Sequence, residues 1–477
     1  MKYEAVIGLE VHAELSTKTK AFCGCTTAYG GKPNSHICPT CIGLPGALPR
    51  INIEVVNKAL KAGLALHCKI NQFNRFDRKN YFYPDAPKSY QITQNDYPIC
   101  YDGFLEIEGE KEEKKKIRIE RIHMEEDAGK SLHSSDGTLV DFNRSGVPLI
   151  EIVTEPDLRS PEEATLYLTK LRSILLSLGV SDVKMEEGSL RCDGNISIRK
   201  IGEEAYGVKS EIKNMNSFKA LEKALHYEFD RQVKAVENNE KLTVQTRRWD
   251  EKEEKTIVMR SKEKANDYRY FPEGDLVSLK ISDKWIEKVK SEIKELPYEM
   301  EERFITTYGI PKYDAMVLTL TEDMAKFFDE TAKISGDPKG ASNWLMGDIS
   351  RLMNEQNSWI EDLKFSPKDL SDLLALLKSG SLSSAMGKTV IETMFIEGKS
   401  PKVIVEEKGL VQNSDEDFIL EEVKKVLDNH PNVVEDYRAG KTKIIGFAVG
   451  QTMKATKGKA NPSIINKLVK EELDKRL

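Results

Sequence analysis

The sequence predicts an α+β protein, with an antiparallel sheet in its N-terminal part and only helices in its C-terminal part. Strand-like runs with helices between them extend from residue 1 to about 280, whereas helical segments punctuated by glycine and proline follow residue 295. Strands and helices in irregular order favour α+β over α/β, in which the two alternate. Because 477 residues exceed one compact core, we expect more than one domain.

Three runs have the alternating or short apolar pattern of strands: residues 5–12, 149–153 and 194–199. In the first run, Glu10 and His12 lie on one face of the strand, and Leu9 and Val11 lie on the other. A carboxylate and an imidazole therefore converge on one side of the predicted sheet.

Helix signals separate these strands and dominate the rest of the chain. Ser160 is a predicted N-cap, Pro161 takes the first helical position, and Gly179 ends the helix. A second helix begins at Ser217 and ends near Glu237. Further helices are expected over residues 298–308, 321–334, 341–353, 367–378, 384–397, 415–429, 445–454 and 462–477. Three domains are expected: 1–294 with the sheet, 295–400 all helical, and 401–477 a small helical tail.

Composition and charge narrow the functional classes. The chain has a net charge of -6 and 31% charged residues, so its bulk charge gives no sign of nucleic-acid binding. Its first residues do not form a basic segment leading into an apolar one, and no run approaches the ~18 apolar residues of a membrane helix. We therefore expect a cytoplasmic protein with no membrane contact and with reduced thiols.

Four of the seven cysteines, Cys23, Cys25, Cys38 and Cys41, fall within nineteen residues. Two closely spaced pairs on a loop rich in glycine and proline can supply the four thiolates of a tetrahedral zinc site. The alternative is four buried or disulfide-bonded cysteines, which the pair spacing and the reducing compartment disfavour. Because four thiolates leave no open coordination position, loop 23–41 is expected to hold a structural zinc.

Ionisable side chains recur at other strand positions. Residues 123–127 combine a histidine with three acids, Glu151 is an isolated acid on an apolar strand, and Asp193 lies beside another strand. Each alone is more simply a solvated or hydrogen-bonded polar residue. Together, carboxylates and a histidine suit Mg²⁺, which takes oxygen ligands and keeps waters for a phosphate substrate.

The sequence lacks a phosphate-binding loop of the Walker A type. Residues 129–131 and 387–389 have the ending of that motif, but Met124 and Leu382 replace the required upstream glycine. Any ATP must then be held through Mg²⁺ and basic residues. The basic residues available for this are Arg78, Lys79, Lys88, Arg191, Lys209 and Lys213, although such residues are usually just surface charge. Aromatic and basic residues interleave over residues 76–94, which suits a nucleotide-binding loop and equally a packed strand pair.

A basic stretch lies near the C-terminus. Residues 438–470 hold eight Lys or Arg and no Asp or Glu, and Lys454, Lys457 and Lys459 cluster there. Such a patch suits a sequence-tolerant contact with a phosphate backbone, RNA above all. A solvated surface is the simpler alternative for charges of this kind.

Several long motifs together resemble one protein family, the B subunits (GatB) of the aspartyl/glutamyl-tRNA amidotransferases. The motifs span nearly the whole chain, in residues 8–15, 77–85, 123–130, 143–157, 185–193 and 267–273. The resemblance implies a glutamine synthetase-like cradle domain, a helical domain, and a YqeY-like tail domain that binds tRNA. It also implies a reaction in which ATP phosphorylates the side-chain carboxylate of Glu or Asp on misacylated tRNA(Gln) or tRNA(Asn), and ammonia displaces the phosphate.

The resemblance implies roles for the residues named above. The Mg²⁺ ligands would be His12, Glu125 and Glu151, with Glu10 and Asp193 as a further catalytic pair and Lys79 as a contact for phosphate or the ammonia path. The four cysteines resemble those of the zinc-containing members of the family. Nothing in the sequence resembles an amidase triad, so ammonia is expected from a glutaminase subunit, GatA, in a heterotrimer with a small subunit, GatC.

Two other functions stay open at this point. One is that of the archaeal-type GatE homologue, which acts on Glu-tRNA alone and carries an inserted domain for which this chain has little room. The other is a catalytically silent RNA-binding scaffold with a structural zinc, which would have no use for an acid at Glu151. The sequence does not decide whether Glu-tRNA, Asp-tRNA or both are substrates.

Overall fold

The computed structural model describes residues 2–108, 113–261, 268–410, 415–456 and 460–476. The chain divides into two compact units, Met1–Pro297 and Tyr298–Leu477. The first unit contains every described strand, whereas the second is built of helices. The predicted α+β class, with the sheet first and the helices after it, is therefore confirmed. Among the described helices, none combines the length and the apolar character that crossing a membrane requires.

The first unit alternates strands and helices irregularly along the chain. Its described strands are β1 (Tyr3–Glu14), β2 (Lys69–Ile70), β3 (Phe73–Asn74), β4 (Asp77–Asn80), β5 (Tyr90–Thr93), β6 (Cys100–Glu108), β7 (Lys114–Glu126), β8 (Lys130–Ser134), β9 (Gly137–Asp141), β10 (Pro148–Thr154), β11 (Leu190–Lys200), β12 (Ser210–Lys213), β13 (Gln245–Asp250), β14 (Lys255–Ser261), β15 (Phe271–Pro272) and β16 (Leu279–Lys280). Its described helices are α1 (Ile53–Ala65), α2 (Pro161–Ser177), α3 (Phe218–Glu237) and α4 (Asp283–Ser291).

Nine of the described strands form one sheet, in the order β14-β13-β12-β11-β1-β10-β7-β6-β2. The three strands predicted from the sequence, β1, β10 and β11, lie side by side near its centre. Every pairing in this sheet is antiparallel except that of β12 with β13. The antiparallel prediction is wrong at this pair, because α3 connects the two strands and a parallel pair needs such a crossover.

The described helices α1, α2 and α3 pack against one face of the large sheet, the covered face, and the opposite face is the open face. Leu9 of β1 is buried on the covered face, where it pairs with Gly194 of β11. A Cβ at Gly194 would lie 3.3 Å from Leu225, so α3 packs closely there. Beside α3, α2 packs against β6, and α1 packs against β7. Because strand side chains alternate, Glu10 and His12 point to the open face.

A smaller sheet stands beside the open face. It contains β15, β4 and β5 in that order, and β5 contacts β7 of the large sheet. β4 and β5 form an antiparallel pair, so residues 76–94 contain the packed strand pair that was one of the two predictions for them. This arrangement places β4 where its side chains can reach over the large sheet.

Local capping signals place the two predicted helices of the first unit correctly. Ser160 Oγ accepts a hydrogen bond of 3.2 Å from Glu163 N at the start of α2. Ser217 Oγ accepts one of 3.0 Å from Ala220 N at the start of α3. Each hydroxyl satisfies a backbone donor that the first helical turn leaves unpaired. The helices α1 and α4 are not among those predicted.

Helices fill the described part of the second unit. They are α5 (Pro297–Tyr308), α6 (Lys312–Leu318), α7 (Glu322–Ser335), α8 (Pro338–Trp344), α9 (Ser350–Gln356), α10 (Pro367–Lys378), α11 (Ser384–Glu397), α12 (Pro401–Lys408), α13 (Glu416–Asn429), α14 (Pro431–Arg438), α15 (Ile444–Ala455) and α16 (Pro462–Lys475). The predicted bounds of α10 and α11 are confirmed. A π-helical turn, Leu345–Ile349, interrupts the helix predicted over 341–353, and Ser350 Oγ donates to Leu345 O at 2.6 Å there.

The described residues of the second unit form two hydrophobic cores. The first contains Phe328 and Leu370, and it also includes Ile404 from α12. The second contains Ile419 of α13 and Ile465 of α16. The boundary near residue 400 and a separate domain over 401–477 stay predictions.

Candidate active site

Four ionisable side chains meet on the open face where β1, β10 and β7 lie side by side. His12 of β1 pairs in register with Glu151 of β10, which pairs with His123 of β7. Cross-strand partners share a face, and the two-residue period of β7 adds Glu125 to it. His12 Nε2 lies 3.3 Å from Glu151 Oε2 and 3.5 Å from Glu125 Oε1. His123 Nε2 lies 3.1 Å from Glu151 Oε2 and 3.6 Å from Glu125 Oε2.

Burial and charge act against each other in this group. Burial alone would raise the pKa of Glu125 and of Glu151, but hydrogen bonds from the histidines hold both pKa values below their usual range. Burial alone would lower the pKa of His12, but Glu151 raises it. In the same way the two carboxylates outweigh burial and raise the pKa of His123 to about 9. The carboxylates are therefore ionised and favour positive charge between them.

This group has the donor set of a divalent cation site. The ligand atoms of His12, Glu125 and Glu151 all lie within 4.8 Å of one another. Carboxylate oxygens with an imidazole nitrogen suit Mg²⁺ or Mn²⁺ better than a soft metal. The residues therefore fit the Mg²⁺ ion that the sequence predicts.

A second acidic group adjoins the first on the same face. Glu10 and Asp193 pair in register across β1 and β11, and their carboxylate oxygens lie within 4.8 Å of each other and of Glu211. Lys213 Nζ contacts Asp193 and lies 3.0 Å from Glu211 Oε1. Burial raises the pKa of Glu10, to which Asn195 Nδ2 donates a hydrogen bond of 2.8 Å. A lysine thus balances part of the negative charge here.

A cavity of about 620 Å³ opens over both groups. Each residue predicted to be catalytic lines it, namely Glu10, His12, Lys79, Glu125, Glu151 and Asp193. The volume lies within the range of small-molecule sites in proteins, roughly 300–1,000 Å³. The structure thus brings together side chains that five different strands supply.

Lys79 enters this cavity from β4, across from the large sheet. Its Nζ lies 5.0 Å from the centre of the Tyr268 ring, and Asn80 Nδ2 donates to Tyr268 O at 3.0 Å. Burial opposes the charge on Lys79, but the carboxylate of Glu125 outweighs it and raises the pKa of the amine. Lys79 is therefore a cation directed at the Glu125 group.

Other basic residues near the cavity are paired with acids. Arg78 makes a bidentate contact with the buried Glu273, at 2.8 Å and 2.7 Å, and so ties β4 to the segment after β15. Arg191 donates to Asp127 Oδ2 at 2.6 Å, and Lys88 contacts Glu126. The last two of these pairs, Arg191 with Asp127 and Lys88 with Glu126, line the cavity.

Sequence reasoning assigned no role to two residues of the site, His123 and Glu211, and named Lys213 only as one of several basic residues available for phosphate. His123 was noted only within the charged run 123–127, although the two-residue period of a strand puts it on the same face as Glu125. Glu211 and Lys213 alternate along β12 in the same way. That strand has only four residues, so its alternation is too short to identify in sequence.

The four cysteines of loop 23–41 form a compact cluster. Their sulfur atoms lie within 4.8 Å of one another, and all four are free thiols. Zinc with Zn–S bonds of about 2.3 Å spaces tetrahedral sulfurs ~3.8 Å apart, so the cluster fits that metal. A hydrogen bond from Cys23 lowers the pKa of the Cys41 thiol to about 5, which favours the thiolate that binds metal. These four nearby cysteines could hold a metal.

The predicted basic cluster of the tail is described only in part. Lys454 is exposed in the last turn of α15. Lys457 and Lys459 lie outside the described residues. A role of these lysines in binding RNA stays a prediction.

Comparison with known proteins shows the family to which the chain belongs. The family model of the GatB/GatE catalytic domain matches residues 5–287, and that of the GatB domain matches residues 326–473. The chain is 68% identical, over 476 residues and 100% of both chains, to the B subunit of the aspartyl/glutamyl-tRNA(Asn/Gln) amidotransferase of Clostridium botulinum strain Eklund 17B. The corresponding protein of strain 657 is 66% identical over 475 residues and 100% of both chains. The chain therefore belongs to the GatB family, the B subunits of the aspartyl/glutamyl-tRNA amidotransferases.

Proposed function

We propose that this chain activates the side-chain carboxylate of Glu or Asp on misacylated tRNA with ATP and directs ammonia to it. The products would be Gln-tRNA(Gln) or Asn-tRNA(Asn). The observation that carries the proposal is the cation site of His12, Glu125 and Glu151 at the floor of a cavity that Lys79 also lines. The similarity to amidotransferase B subunits supports the same reaction.

Activation is needed because a carboxylate is a poor electrophile toward ammonia, which would have to expel an oxide. In the first step a carboxylate oxygen attacks the γ-phosphorus of ATP, the bond to the bridging oxygen breaks, and ADP leaves. In the second step the ammonia nitrogen attacks the acyl carbon, the bond to the phosphate oxygen breaks, and inorganic phosphate leaves. Loss of a proton from nitrogen gives the amide. Both steps depend mainly on positioning and on charge stabilisation.

Different residues of the open face would bind the metal, orient the phosphoryl group and hold the substrate. His12, Glu125 and Glu151 would hold Mg²⁺, which when bound neutralises charge on phosphate oxygens. Lys79 faces the Glu125 group, where its charge would orient the phosphoryl group or the carboxylate that receives it. Glu10 and Asp193 would hold the polar end of the substrate through Lys213 or a second cation.

Ammonia would reach this cavity from a partner. We infer that the chain works in a heterotrimer with the glutaminase subunit GatA and the small subunit GatC. The relatives are B subunits of their amidotransferases, which supports an enzyme of several chains. A cytoplasmic location suits a reaction on tRNA and suits the free thiols of the cysteine cluster.

The remaining parts of the chain would support this reaction. The first unit would be the glutamine synthetase-like cradle, and loop 23–41 would be folded around a structural Zn²⁺ that takes no part in the chemistry. Residues 401–477 would form the YqeY-like tail, with Lys454 in contact with the tRNA backbone. Lys457 and Lys459 are proposed for the same contact.

The test is ATP-dependent conversion of Glu-tRNA(Gln) and Asp-tRNA(Asn) by this chain in complex with its glutaminase partner. Glutamine and ammonium are supplied in separate reactions as nitrogen donors. Formation of Gln-tRNA or Asn-tRNA, with ADP release that requires the charged tRNA, would confirm the proposal and name the substrate. No product and no tRNA-stimulated ADP release from a folded, zinc-loaded complex would overturn it and leave the RNA-binding scaffold.

A further inference from the structure

Lys20 is a lysine in an unusual place. It lies between β1 and the cysteine loop, and its side chain is 0% exposed. Its backbone N–H donates to Cys25 O at 2.9 Å, so the residue is part of the frame of the loop. Lysine is almost never fully buried unless its charge is balanced.

The Lys20 ammonium has three acceptors. Its Nζ donates to His36 O at 2.7 Å, to Phe142 O at 3.4 Å, and to Cys41 Sγ at 3.7 Å. Among the described residues, Lys20 forms no ion pair with a carboxylate. Two of the acceptors are neutral carbonyls, so the thiolate of Cys41 is the contact that can balance the charge.

The cysteine cluster, in contrast, needs a nearby positive charge. Four thiolates around one Zn²⁺ carry a net charge of about −2, which is unfavourable in a buried site unless nearby donors offset it. Cys41 is the buried member of the cluster, with 4% exposure, and water can offset its charge least. A buried cation and a buried excess of negative charge thus meet at one sulfur atom.

We propose that Lys20 is the charge-compensating partner of the cysteine site, and that its N–H···S hydrogen bond to Cys41 sets how tightly the site retains zinc. This inference rests on the zinc site of the proposed function. A donor that contacts a metal ligand from outside the coordination sphere typically contributes 10–100-fold in metal affinity. Lys20 acts on the metal through Cys41 and is a positioning residue.

The same lysine links the cysteine loop to the strand that carries Glu151. Its Nζ donates to Phe142 O, and a second hydrogen bond, of 3.2 Å, runs from Ser145 Oγ to Cys41 O. Phe142 and Ser145 both lie just before β10 begins. Gly146, at φ +81°, also lies against the lysine, because a Cβ added at this glycine would be 3.5 Å from Lys20 Cδ. The loop and the start of β10 are therefore held together at the residue that contacts the metal ligand.

The experiment compares Lys20→Met and Lys20→Gln with wild type and with Lys18→Met, an exposed lysine two residues away. Both changes at position 20 remove the charge, and Gln keeps a donor for the carbonyls. Zinc affinity and zinc release rate are measured on the full-length chain by competition with a chromophoric chelator. The absorption of the cobalt-substituted chain reports the sulfur ligands, and thermal unfolding is followed with zinc bound and after stripping.

We expect both Lys20 variants to bind zinc ~10–100-fold more weakly and to release it faster, with Lys18→Met unchanged. Lys20→Met is expected to lower the unfolding temperature more when zinc is bound than after the zinc is stripped. The zinc-loaded cluster carries an excess of about two negative charges that Lys20 offsets, and stripping removes the four-thiolate complex that creates this excess. A lysine needed only for packing would lower both unfolding temperatures alike.

The outcomes distinguish the proposed role of Lys20 from the assignment of the four cysteines as a zinc site. Failure of the wild-type chain to bind zinc overturns both. Wild-type binding with equal affinity in both Lys20 variants overturns only the role of Lys20. Failure of both variants to fold, with zinc or without, assigns Lys20 to the packing of the loop and also overturns the inference.

Discussion

His12 and Glu151 face each other across neighbouring strands, with Nε2 of the histidine 3.3 Å from Oε2 of the glutamate. The register of β1 on β10 fixes this contact, so it depends on backbone pairing in the middle of a sheet and not on a loop. A slip of one residue would turn Glu151 toward the covered face. The candidate cation site is therefore as rigid as the centre of the sheet itself.

Replacing His123 by Gln tests a residue that sequence reasoning missed. The change removes the imidazole whose Nε2 faces Glu125 and Glu151, so these carboxylates lose a partner that orients them. We expect the Mg²⁺ concentration needed for tRNA-stimulated ADP release to rise ~10–100-fold. His133→Gln, at an exposed position on β8, is the matched control and should leave it unchanged. An unaltered Mg²⁺ dependence in H123Q would argue against a positioning role.

Replacing Cys38 by Ser tests the metal assignment of the cysteine loop. Three thiolates bind zinc far more weakly than four, and a structural zinc contributes directly to folding. We expect the purified variant to hold less zinc than wild type and to unfold at a lower temperature. Lys32→Gln, an exposed change in the same loop, should keep both properties. Equal zinc content in C38S and wild type would rule out Cys38 as a ligand.

An ion-paired aspartate predicts the acid response of the helical unit. Arg303 Nη1 lies 3.0 Å from Asp329 Oδ1, and Tyr308 also donates to this carboxylate. Burial works against the charge, but these hydrogen bonds, that of Arg303 first, lower the pKa of Asp329 to about 2. Its contribution to stability is therefore present above the ordinary aspartate pKa of about 3.9 and is lost as pH falls toward 2.

Asp329→Asn should accordingly destabilise the chain near neutral pH by at most ~1 kcal/mol, because the pair is partly exposed. The difference in unfolding free energy between variant and wild type should shrink from pH 5 to pH 2, as followed by helical circular dichroism during denaturation. Asp372→Asn, a change at a more loosely paired aspartate on α10, serves as control. A difference that stays constant over this pH range would contradict the assignment.

Replacing Lys454 by Gln tests the proposed tRNA contact of the tail. Loss of one phosphate contact should weaken tRNA binding and reduce the slope of log affinity against log salt by ~1. The measurement is binding of uncharged tRNA to the whole complex over a range of salt concentrations. Lys402→Gln, an exposed change on α12, should leave the slope unchanged. The same slope in K454Q and wild type would place the contact elsewhere.

Features that depend on local chemistry could be predicted from the sequence. A serine cap and proline at the first helical position predicted the start of α2, and the glycine and proline residues that punctuate the helical region predicted the bounds of α10. Strand alternation gave the shared face of Glu10 and His12 because it needs no knowledge of neighbouring strands. The cysteine spacing predicted a cluster that the structure does form.

Features that depend on distant segments could not be predicted in this way. The parallel pairing of β12 with β13 follows from a helical crossover, and no side-chain pattern within either strand encodes it. Arg78 looked available for phosphate, yet it is bound by Glu273, which lies far along the chain. The burial of Lys20 is likewise set by His36 and Phe142 from other segments.

The most direct test of the central claim is ADP release by the complex carrying Glu151→Gln, with charged tRNA present and absent. The change keeps the shape of the side chain but removes the charge that faces His12 and His123. Glu237→Gln, an exposed change at the end of α3, is the matched control. We predict that E151Q lowers tRNA-stimulated ADP release by about 100-fold or more while tRNA binding and folding persist. Wild-type ADP release by E151Q would contradict a cation-dependent phosphoryl transfer at this site.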